Sequence, residues 1–371
     1  MLETLFSFIF QLASFLFLIG ILVFVHELGH FWVARRCGVR VEEFAFGLPP
    51  KLWSVKKGNT TYAINAIPFG GYVKMYGQND FAPISSAKAP LSHEHFEAKT
   101  WWQKSLILCA GVFMNMLLAV ILLTGGYLIG MQPLIPGSPI FEQALEKQGV
   151  AIYEIKKDSI AEKYAIPADT TIHSVNGTLI TSSEQFKTLL EEAKPQGVTL
   201  ELKNGNENIV RTIPAMPADQ TIGIAYADAI KINTVQLPVG QALYYGVSDS
   251  FTVLFDTFRG LGSLVVQLFS TLEISQDVTG PIGIFRLTSE VSKIGIIPFL
   301  QLLALLSISL AAINIIPFPA LDGGRLIFVL LEAIIGKRFN KLLEGKIHLV
   351  GMALLLLFMI SITYQDIVRL F

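Results

Sequence analysis

Long apolar runs without charge constrain the fold of this chain more than any other feature. Residues 4–25 contain no charged side chain and consist mostly of Leu, Ile, Val and Phe. A run of about 20 such residues can cross the hydrocarbon core of a bilayer, which is about 30 Å thick. Similar runs occupy residues 106–129, 294–321 and 349–363. The sequence therefore predicts a polytopic α-helical membrane protein with about four transmembrane helices.

Composition and charge distribution agree with this prediction. Of the 371 residues, 52% are hydrophobic and only 15% are charged, whereas a soluble domain carries about 25% charged residues. The apolar composition makes the lipid bilayer the expected partner, and the formal net charge of −1 argues against nucleic acid. Basic residues outnumber acidic ones ten to five in 31–104 and five to two in 323–346, but number twelve against eighteen in 131–298. The positive-inside rule predicts that the first two segments are cytoplasmic and that the third is outside.

These patterns predict an order of segments along the chain. We expect a first transmembrane helix (1–36), a cytoplasmic-side loop with a β-hairpin (37–104), a second transmembrane helix (105–130), a small α+β domain (131–220), an amphipathic outer-surface segment (221–293), a third transmembrane helix (294–324), a cytoplasmic connection (325–346) and a fourth transmembrane helix (347–371).

Two of these segments show further patterns. The outer domain has a strand pattern over 150–159, hairpin turns at 176–177 and 204–205, and a helical pattern over 182–193. Residues 38–77 are typical of a β-hairpin, and such a backbone can enter the membrane only where protein or a water-filled cavity shields it.

The motif HELGH occupies residues 26–30, at the end of the first apolar run. His26 and His30 are four residues apart and therefore lie on one face of a helix. Two imidazoles at this spacing can hold a zinc ion, and Glu27 can act as a base on water. An ion pair of Glu27 with Arg35 or Arg36 is an alternative, but it explains neither histidine. Because ionisable groups at membrane depth are costly, the metal site is the stronger hypothesis.

A catalytic zinc takes three protein ligands and keeps a fourth position for water. Asp322 is the only carboxylate between Glu290 and Glu332, in a stretch where two prolines break the third apolar run. It is the best third ligand available, although it has the alternative role of capping a helix over 325–334. Two histidines and one carboxylate make zinc the default metal.

These motifs together resemble those of a known family. HExxH, followed much later by N-x-x-P-x-P-x-LDGG, resembles the site-2 protease family of intramembrane zinc metalloproteases, in particular its bacterial regulator of sigma-E protease branch. Residues 69–75 (FGGYVKM) and 279–284 (TGPIGI) resemble that branch too, so the resemblance covers nearly the whole chain. The second motif matches at Asn314, Pro317, Pro319, Leu321, Asp322, Gly323 and Gly324.

The resemblance implies an active site and a class of substrate. His26, His30 and Asp322 would be zinc ligands and Glu27 the base, in a membrane-embedded site that faces the cytoplasm. The substrates would be single-pass membrane proteins, such as anti-sigma factors or remnant signal peptides, cleaved within or near their transmembrane segment. The resemblance places the protein in the bacterial cytoplasmic (inner) membrane, with a PDZ-like domain on the periplasmic or extracytoplasmic side.

The resemblance also implies residues that bind substrate. The family segment that matches 39–76 is a membrane-reentrant β-hairpin that can pair with an unwound substrate, which assigns Gly70, Gly71 and Tyr72 to this role. Asn314 and Pro317 are assigned to substrate binding as well, because a buried amide can hold exposed backbone. Helix capping or packing is the alternative role for Asn314.

The chain departs from the family pattern in two respects. The second span often carries Gly-Pro-x-x-Asn, whereas this chain keeps Gly111 and Asn115 but has Val112 in place of the proline. Some relatives carry two PDZ-like modules, whereas we expect one here, and residues 168–177 lack the glycine expected before the hairpin strand.

Other functions fit these residues less well. A desaturase-like enzyme needs many more clustered histidines than the six in this chain, and a transporter would show a pathway or a repeat. The main alternative is a non-catalytic protein that holds membrane proteins through its PDZ-like domain, and the intact Glu27 counts against it.

Overall fold

The computed structural model describes residues 2–78, 92–204, 207–217, 219–271, 278–337 and 339–369. It divides into a first unit, formed by residues 1–131 and 236–371, and a second unit, formed by residues 132–235. The helices are α1 (Leu2–Arg36), α2 (Trp101–Ile129), α3 (Pro139–Ala144), α4 (Ile160–Lys163), α5 (Ser183–Ala193), α6 (Val239–Thr271), α7 (Pro281–Ile294), α8 (Ile296–Ile315), α9 (Asp322–Ile335) and α10 (Lys341–Val368). The strands are β1 (Val41–Lys57), β2 (Thr60–Met75), β3 (Leu145–Ile155), β4 (Thr170–Val175), β5 (Thr178–Leu179), β6 (Val198–Asn204), β7 (Glu207–Ile213) and β8 (Ile224–Ile232).

Four helices in the described part of the chain are long and apolar enough to cross a membrane. They are α1, α2, α8 and α10. The expectation of a multi-pass membrane protein with about four spanning helices and separate β-structure is therefore confirmed.

The ends of these helices differ from the expected ones. The second begins at Trp101 instead of 105, because Thr100 and Gln103 exchange side-chain and backbone hydrogen bonds in a capping box. The fourth begins at Lys341 instead of 347, where Asn340 accepts a hydrogen bond from the amide of Leu342. The third ends at Ile315, well before 324. Residues 322–335 form α9, so the expected connection over 325–346 is largely helical.

Helix α2 lies at the centre of the first unit and packs against α1, α6, α8 and α9. Leu18 and Leu22 of α1 and Leu303 of α8 form one buried apolar cluster in the first unit. A second cluster, with Ala34, Val39, Met75, Phe96 and Ile107 among its members, joins the end of α1 to the β-hairpin and to α2. These two clusters fix α1 against its neighbours on both sides of the HELGH motif.

Strands β1 and β2 form the expected antiparallel hairpin, but both strands bend. Residues 43–46 pair with 71–74 on one side and with 61–64 on the other, while residues 51–57 pair with 60–65. Four strand segments therefore lie side by side, and residues 71–75 form one edge.

The second unit is an antiparallel sheet in the order β7-β6-β4-β3-β8, with β5 paired to β4. Its core contains Ile152, Ile172, Phe186, Leu200 and Ile213. The hairpin at 176–177 and the helix after Ser182 are present as expected. The second hairpin is formed by β6 and β7, and residues 205–206 of its turn lie outside the described residues.

Two expected boundaries in this unit were wrong. The strand predicted over 150–159 ends at Ile155, and Asp158 adopts a left-handed conformation just before α4. Strand β8 pairs with β3 and so extends the domain beyond 220. The expected glycine before the hairpin strand is replaced by Asp169, which has a φ of +57°.

The segment expected to be amphipathic contains two helices, α6 and α7. Along α6, Leu243, Val247, Phe251 and Phe255 are exposed, whereas Ala242, Asp249 and Ser250 are buried. The hydroxyl of Tyr127 on α2 donates a hydrogen bond to the carboxylate of Asp249. One side of α6 therefore packs on α2, and the other side presents apolar residues.

A group of charged residues joins α2 to α10. The ammonium group of buried Lys104 pairs with the carboxylate of Glu97, and that of Lys341 lies 3.0 Å from the same carboxylate. Burial acts to raise the pKa of Glu97, but the two neighbouring ammonium groups outweigh it and lower the pKa.

The TGPIGI sequence forms the start of α7. The carboxylate of Asp366 on α10 accepts hydrogen bonds from the backbone amides of Gly280, at 3.3 Å, and Gly283, at 2.9 Å. Asp366 is 6% exposed. A carboxylate from another helix thus caps the start of α7, where no local side chain does.

Replacing Asp366 by Ala is expected to lower stability by about 1–3 kcal/mol, because the amides of buried Gly280 and half-buried Gly283 lose their acceptor. Thermal unfolding of the purified protein in detergent measures the change. Tyr364→Ala removes a side chain that is 67% exposed and is the control. Equal unfolding temperatures for the two variants would contradict the capping role.

Candidate metal centre

The HELGH motif lies on α1, which places His26 and His30 one turn apart on the side that faces α2 and α9. Both histidines are buried, and their Nε2 atoms are 3.1 Å apart. The Oδ2 atom of Asp322 lies 3.0 Å from Nε2 of His26 and 3.1 Å from Nε2 of His30. One ligand atom from each of the three residues therefore lies within 4.8 Å of the others.

Asp322 is brought to this position by the break between α8 and α9. Pro317 and Pro319 follow the end of α8, and α9 begins at Asp322 itself. Its carboxylate faces the two histidines, and the start of α9 has no side-chain capping bond. The structure therefore does not support the alternative role of Asp322 as a helix cap.

The two glycines after Asp322 allow the chain to turn tightly. A Cβ atom at Gly323 would collide with the carbonyl oxygens of Ile315 and Ile316, and one at Gly324 with that of Phe318. Any larger residue at these positions would push the start of α9 away from the end of α8. The two glycines of LDGG are therefore required sterically by the turn that positions the carboxylate of Asp322.

Two groups on α2 orient the imidazole rings. Nδ1 of His30 lies 2.8 Å from the carbonyl oxygen of Ile107, so this nitrogen donates its hydrogen there and leaves Nε2 with a lone pair. Nδ1 of His26 lies 3.4 Å from the side-chain nitrogen of Asn115, whose Oδ1 is buried without a hydrogen-bond partner. Exchanging the amide nitrogen and oxygen, which are assigned by their surroundings, gives His26 an acceptor at Nδ1.

These contacts test whether the site suits a metal ion. With the Asn115 amide in the exchanged orientation, Nδ1 of both rings donates outward and both Nε2 atoms can act as ligands, as metal-bound histidines commonly do. A carboxylate oxygen completes a set of two imidazoles and one carboxylate, which suits zinc. The residues present fit zinc.

Gly111 allows α2 to approach the metal centre. A Cβ atom at this position would lie 2.5 Å from Nε2 of His30 and 2.6 Å from Cε1 of His26. Gly111 and Asn115 are the two residues of the second-span pattern that this chain keeps, and both face the histidines. Although Val112 replaces the proline, α2 runs unbroken from Trp101 to Ile129.

Glu27 lies beside the histidines and next to the hairpin. Within the described residues it forms no ion pair with Arg35 or Arg36, whose guanidinium groups instead lie over Phe31 and Trp32. A Cβ atom at Gly71 would be 3.2 Å from Cγ of Glu27 and 2.9 Å from Cγ1 of Val23. The edge segment 71–75 therefore passes directly alongside Glu27.

The other residues predicted to bind substrate are less closely grouped. Tyr72 pairs with Ala45 in the same edge segment, and Gly70 precedes it with a φ of +93°. Asn314 lies in the last turn of α8, and Pro317 lies in the break after it. Among the described residues, Asn314 forms no hydrogen bond with His26, His30 or Asp322.

Sequence reasoning missed two contributors near this centre. The carbonyl group of Ile107 has no sequence signal, because every residue carries one. His348 lies outside both motifs, yet its Nδ1 accepts a hydrogen bond from the amide of Ala320, two residues before Asp322.

Comparison with known proteins agrees with this geometry. Residues 14–358 match peptidase family M50. A Clostridium perfringens protein, named as a candidate zinc metalloprotease, is 32% identical over 97% of this chain and 98% of its own length. The zinc metalloprotease RasP of Bacillus licheniformis is 30% identical over 96% of this chain and 99% of its own. The regulator of sigma-W protease RasP of Bacillus subtilis is 28% identical over 98% of this chain and 100% of its own.

The spanning helices, the convergent ligand atoms and these matches together define a membrane metalloprotease. The chain belongs to peptidase family M50 and is a zinc metalloprotease of the site-2 protease type.

Replacing Gly111 by Ala is expected to weaken zinc binding by about tenfold or more, because the added methyl group displaces the imidazoles. Zinc affinity is measured by competition with a chromophoric chelator on the detergent-purified protein. Gly125→Ala is the matched control on α2, since a Cβ atom there meets nothing within 4 Å. Equal zinc affinities for the two variants would contradict this account of Gly111.

Proposed function

We propose that His26, His30 and Asp322 bind the zinc ion and that Glu27 is the general base of peptide-bond hydrolysis. The observation that carries this proposal is the convergence of three ligand atoms from α1 and α9 within 4.8 Å. The sequence separation of 292 residues between His30 and Asp322 makes a chance local cluster a poor explanation. The membership in family M50 gives independent support.

The chemistry divides between the metal ion and the protein. Zinc, when bound, supplies a Lewis acid that activates water at about neutral pH. The Glu27 carboxylate accepts a proton from the attacking water and delivers it to the nitrogen of the leaving amine. The carbonyl group of Ile107 and the amide of Asn115 hold the two imidazoles in orientation while this proton moves.

The substrate we propose is the transmembrane segment of a single-pass membrane protein, bound in an extended form. A helix must unwind before its amide bonds are accessible, and an edge strand can hold the unwound chain by backbone hydrogen bonds. Residues 71–75 pair with β1 on one side, and no described strand pairs with their other side. Gly70, Gly71 and Tyr72 would bind the substrate beside Glu27, with Asn314 and Pro317 contacting it from the α8–α9 break.

The cellular setting we propose follows from charge and from the relatives. The bacterial relatives support a cytoplasmic membrane location, and the charge pattern supports an orientation with residues 132–235 outside and the zinc site facing the cytoplasm. We take the second unit to be a single PDZ-like domain that excludes substrates with bulky outer domains, and α6 to lie on the outer membrane surface. Anti-sigma factors, in keeping with the name of the Bacillus subtilis relative, and remnant signal peptides are the proposed substrates.

Replacing Glu27 by Gln is expected to abolish proton transfer while leaving the metal ligands intact. Cleavage should fall by about 10²- to 10⁴-fold. The measurement compares metal content and cleavage of a single-pass test protein that lacks its outer domain. Glu154→Gln on an exposed part of β3 is the control.

Each outcome for Glu27→Gln has a definite meaning. If both proteins bind one zinc and only the wild type cleaves in a chelator-sensitive manner, Glu27 is the base. If the folded wild type holds no zinc, or if Glu27→Gln cleaves as fast as the wild type, the proposed site is wrong. If the folded wild type holds no zinc, the non-catalytic binding function becomes the better explanation.

Replacing Gly71 by Ala is expected to slow cleavage by about 10- to 100-fold without loss of zinc. The added Cβ atom would lie 3.0 Å from the carbonyl oxygen of Ala45 as well as close to Val23 and Glu27, and so would shift the edge segment. Parallel measurements of cleavage and zinc affinity test this expectation. Asn59→Ala, at the exposed hairpin turn, is the control, and unchanged cleavage in Gly71→Ala would contradict the substrate role of the edge.

A further inference from the structure

The turn that leads into Asp322 has an unusual backbone conformation. The amide of Leu321 donates a hydrogen bond of 3.1 Å to the carbonyl oxygen of Phe318, which closes a β-turn with Pro319 and Ala320 at its centre. Ala320 has a φ of +81°. That value is typical of the third position of a type II turn, which glycine normally occupies because a Cβ atom is strained there. The turn therefore needs support from its surroundings.

His348 on α10 supplies that support. Its Nδ1 atom lies 2.8 Å from the backbone nitrogen of Ala320 and accepts the hydrogen bond. One turn further along α10, a Cβ atom at Gly351 would lie 2.5 Å from both Cβ and O of Pro319. The same side of α10 thus closes on the two central residues of the turn. The ring of Phe328 on α9 packs against the imidazole at a centroid distance of 5.7 Å.

The hydrogen bond to the turn is the only hydrogen bond of this imidazole within the described residues. Its Nε2 atom is buried and lacks a hydrogen-bond partner there. A neutral imidazole that accepts at Nδ1 carries its hydrogen on Nε2, so this contact fixes the tautomer of the ring. His348 is also absent from the cluster of ligand atoms around His26, His30 and Asp322. Its contacts therefore point to the turn, and not to direct binding of the metal.

We propose that His348 is a positioning residue for the metal centre: it holds the strained Pro319–Ala320 turn and thereby directs the carboxylate of Asp322 toward His26 and His30. This inference rests on the proposed role of Asp322 as a zinc ligand. Without the hydrogen bond, Ala320 relaxes toward a negative φ, and the start of α9 rotates with it. The metal centre thus depends on α10, although α10 contributes no ligand.

The test uses variants of the full-length protein in detergent. His348→Leu removes the acceptor, whereas His348→Asn keeps an acceptor oxygen near the position of Nδ1. Ala320→Gly removes the strain, so the turn no longer needs the imidazole. Phe328→Leu is the control for loss of packing around the ring, and His30→Ala reports on the metal site itself.

Two measurements are made on each variant. Zinc affinity comes from chelator competition, and amide hydrogen exchange of the peptide that contains Ala320 is followed in the metal-free protein. We expect His348→Leu to weaken zinc binding by about tenfold or more and to speed exchange at Ala320. His348→Asn and Phe328→Leu should stay close to wild type in zinc affinity. The double variant with Ala320→Gly and His348→Leu should recover most of the affinity that His348→Leu loses.

The outcomes separate this inference from the proposed zinc site. If His30→Ala loses zinc while His348→Leu binds zinc as the wild type does, the positioning role is wrong and the ligand assignment stands. If the double variant with Ala320→Gly and His348→Leu binds zinc no more tightly than His348→Leu alone, His348 acts through general packing and the inference also fails. If His30→Ala binds zinc as the wild type does, the proposed ligands are wrong and the inference falls with them.

Discussion

The close approach of α1 and α9 at Asp322 is the contact on which the rest of the site depends. A carboxylate in an apolar helix bundle is strongly disfavoured unless partners compensate its charge. Here two imidazole nitrogens lie within 3.1 Å of it, and a bound cation would complete the balance. This approach requires the third span to stop early. The proline-containing break after Ile315 and the new start at Asp322 therefore belong to the same feature as the HELGH motif.

Small residues make the approach sterically possible. In a membrane, helices associate through close packing and polar contacts, since lipid is as apolar as their side chains. The backbones of α1 and α2 are nearly in contact at Gly29, since a Cβ atom at this position would collide with the backbone of Ala110. Gly111 then leaves room for the imidazoles, and Gly323 and Gly324 leave room for the turn. Helix α2 gains its central position from these contacts, although it contributes none of the three proposed ligands.

Local signals predicted much of this structure, and non-local contacts account for the errors. Apolar run length predicted the four spanning helices, and the prolines predicted the break before Asp322. The predicted end of the outer domain at 220 was wrong because β8 belongs to it only through pairing with β3, far earlier in the chain. The start of α2 was wrong because a capping box, and not the apolar run, determines where that helix begins.

The sequence by itself determined the spanning helices, the histidine pair on one helix face and the presence of a break before Asp322, because each depends on neighbouring residues and on fixed helical geometry. Only the tertiary structure decided which carboxylate meets the histidines, which backbone carbonyl orients His30, and which helix supports the turn before Asp322. Those contacts join residues far apart in the chain, 296 in the case of His26 and Asp322. A backbone carbonyl or amide is the same chemical group at nearly every position, so only packing can select it.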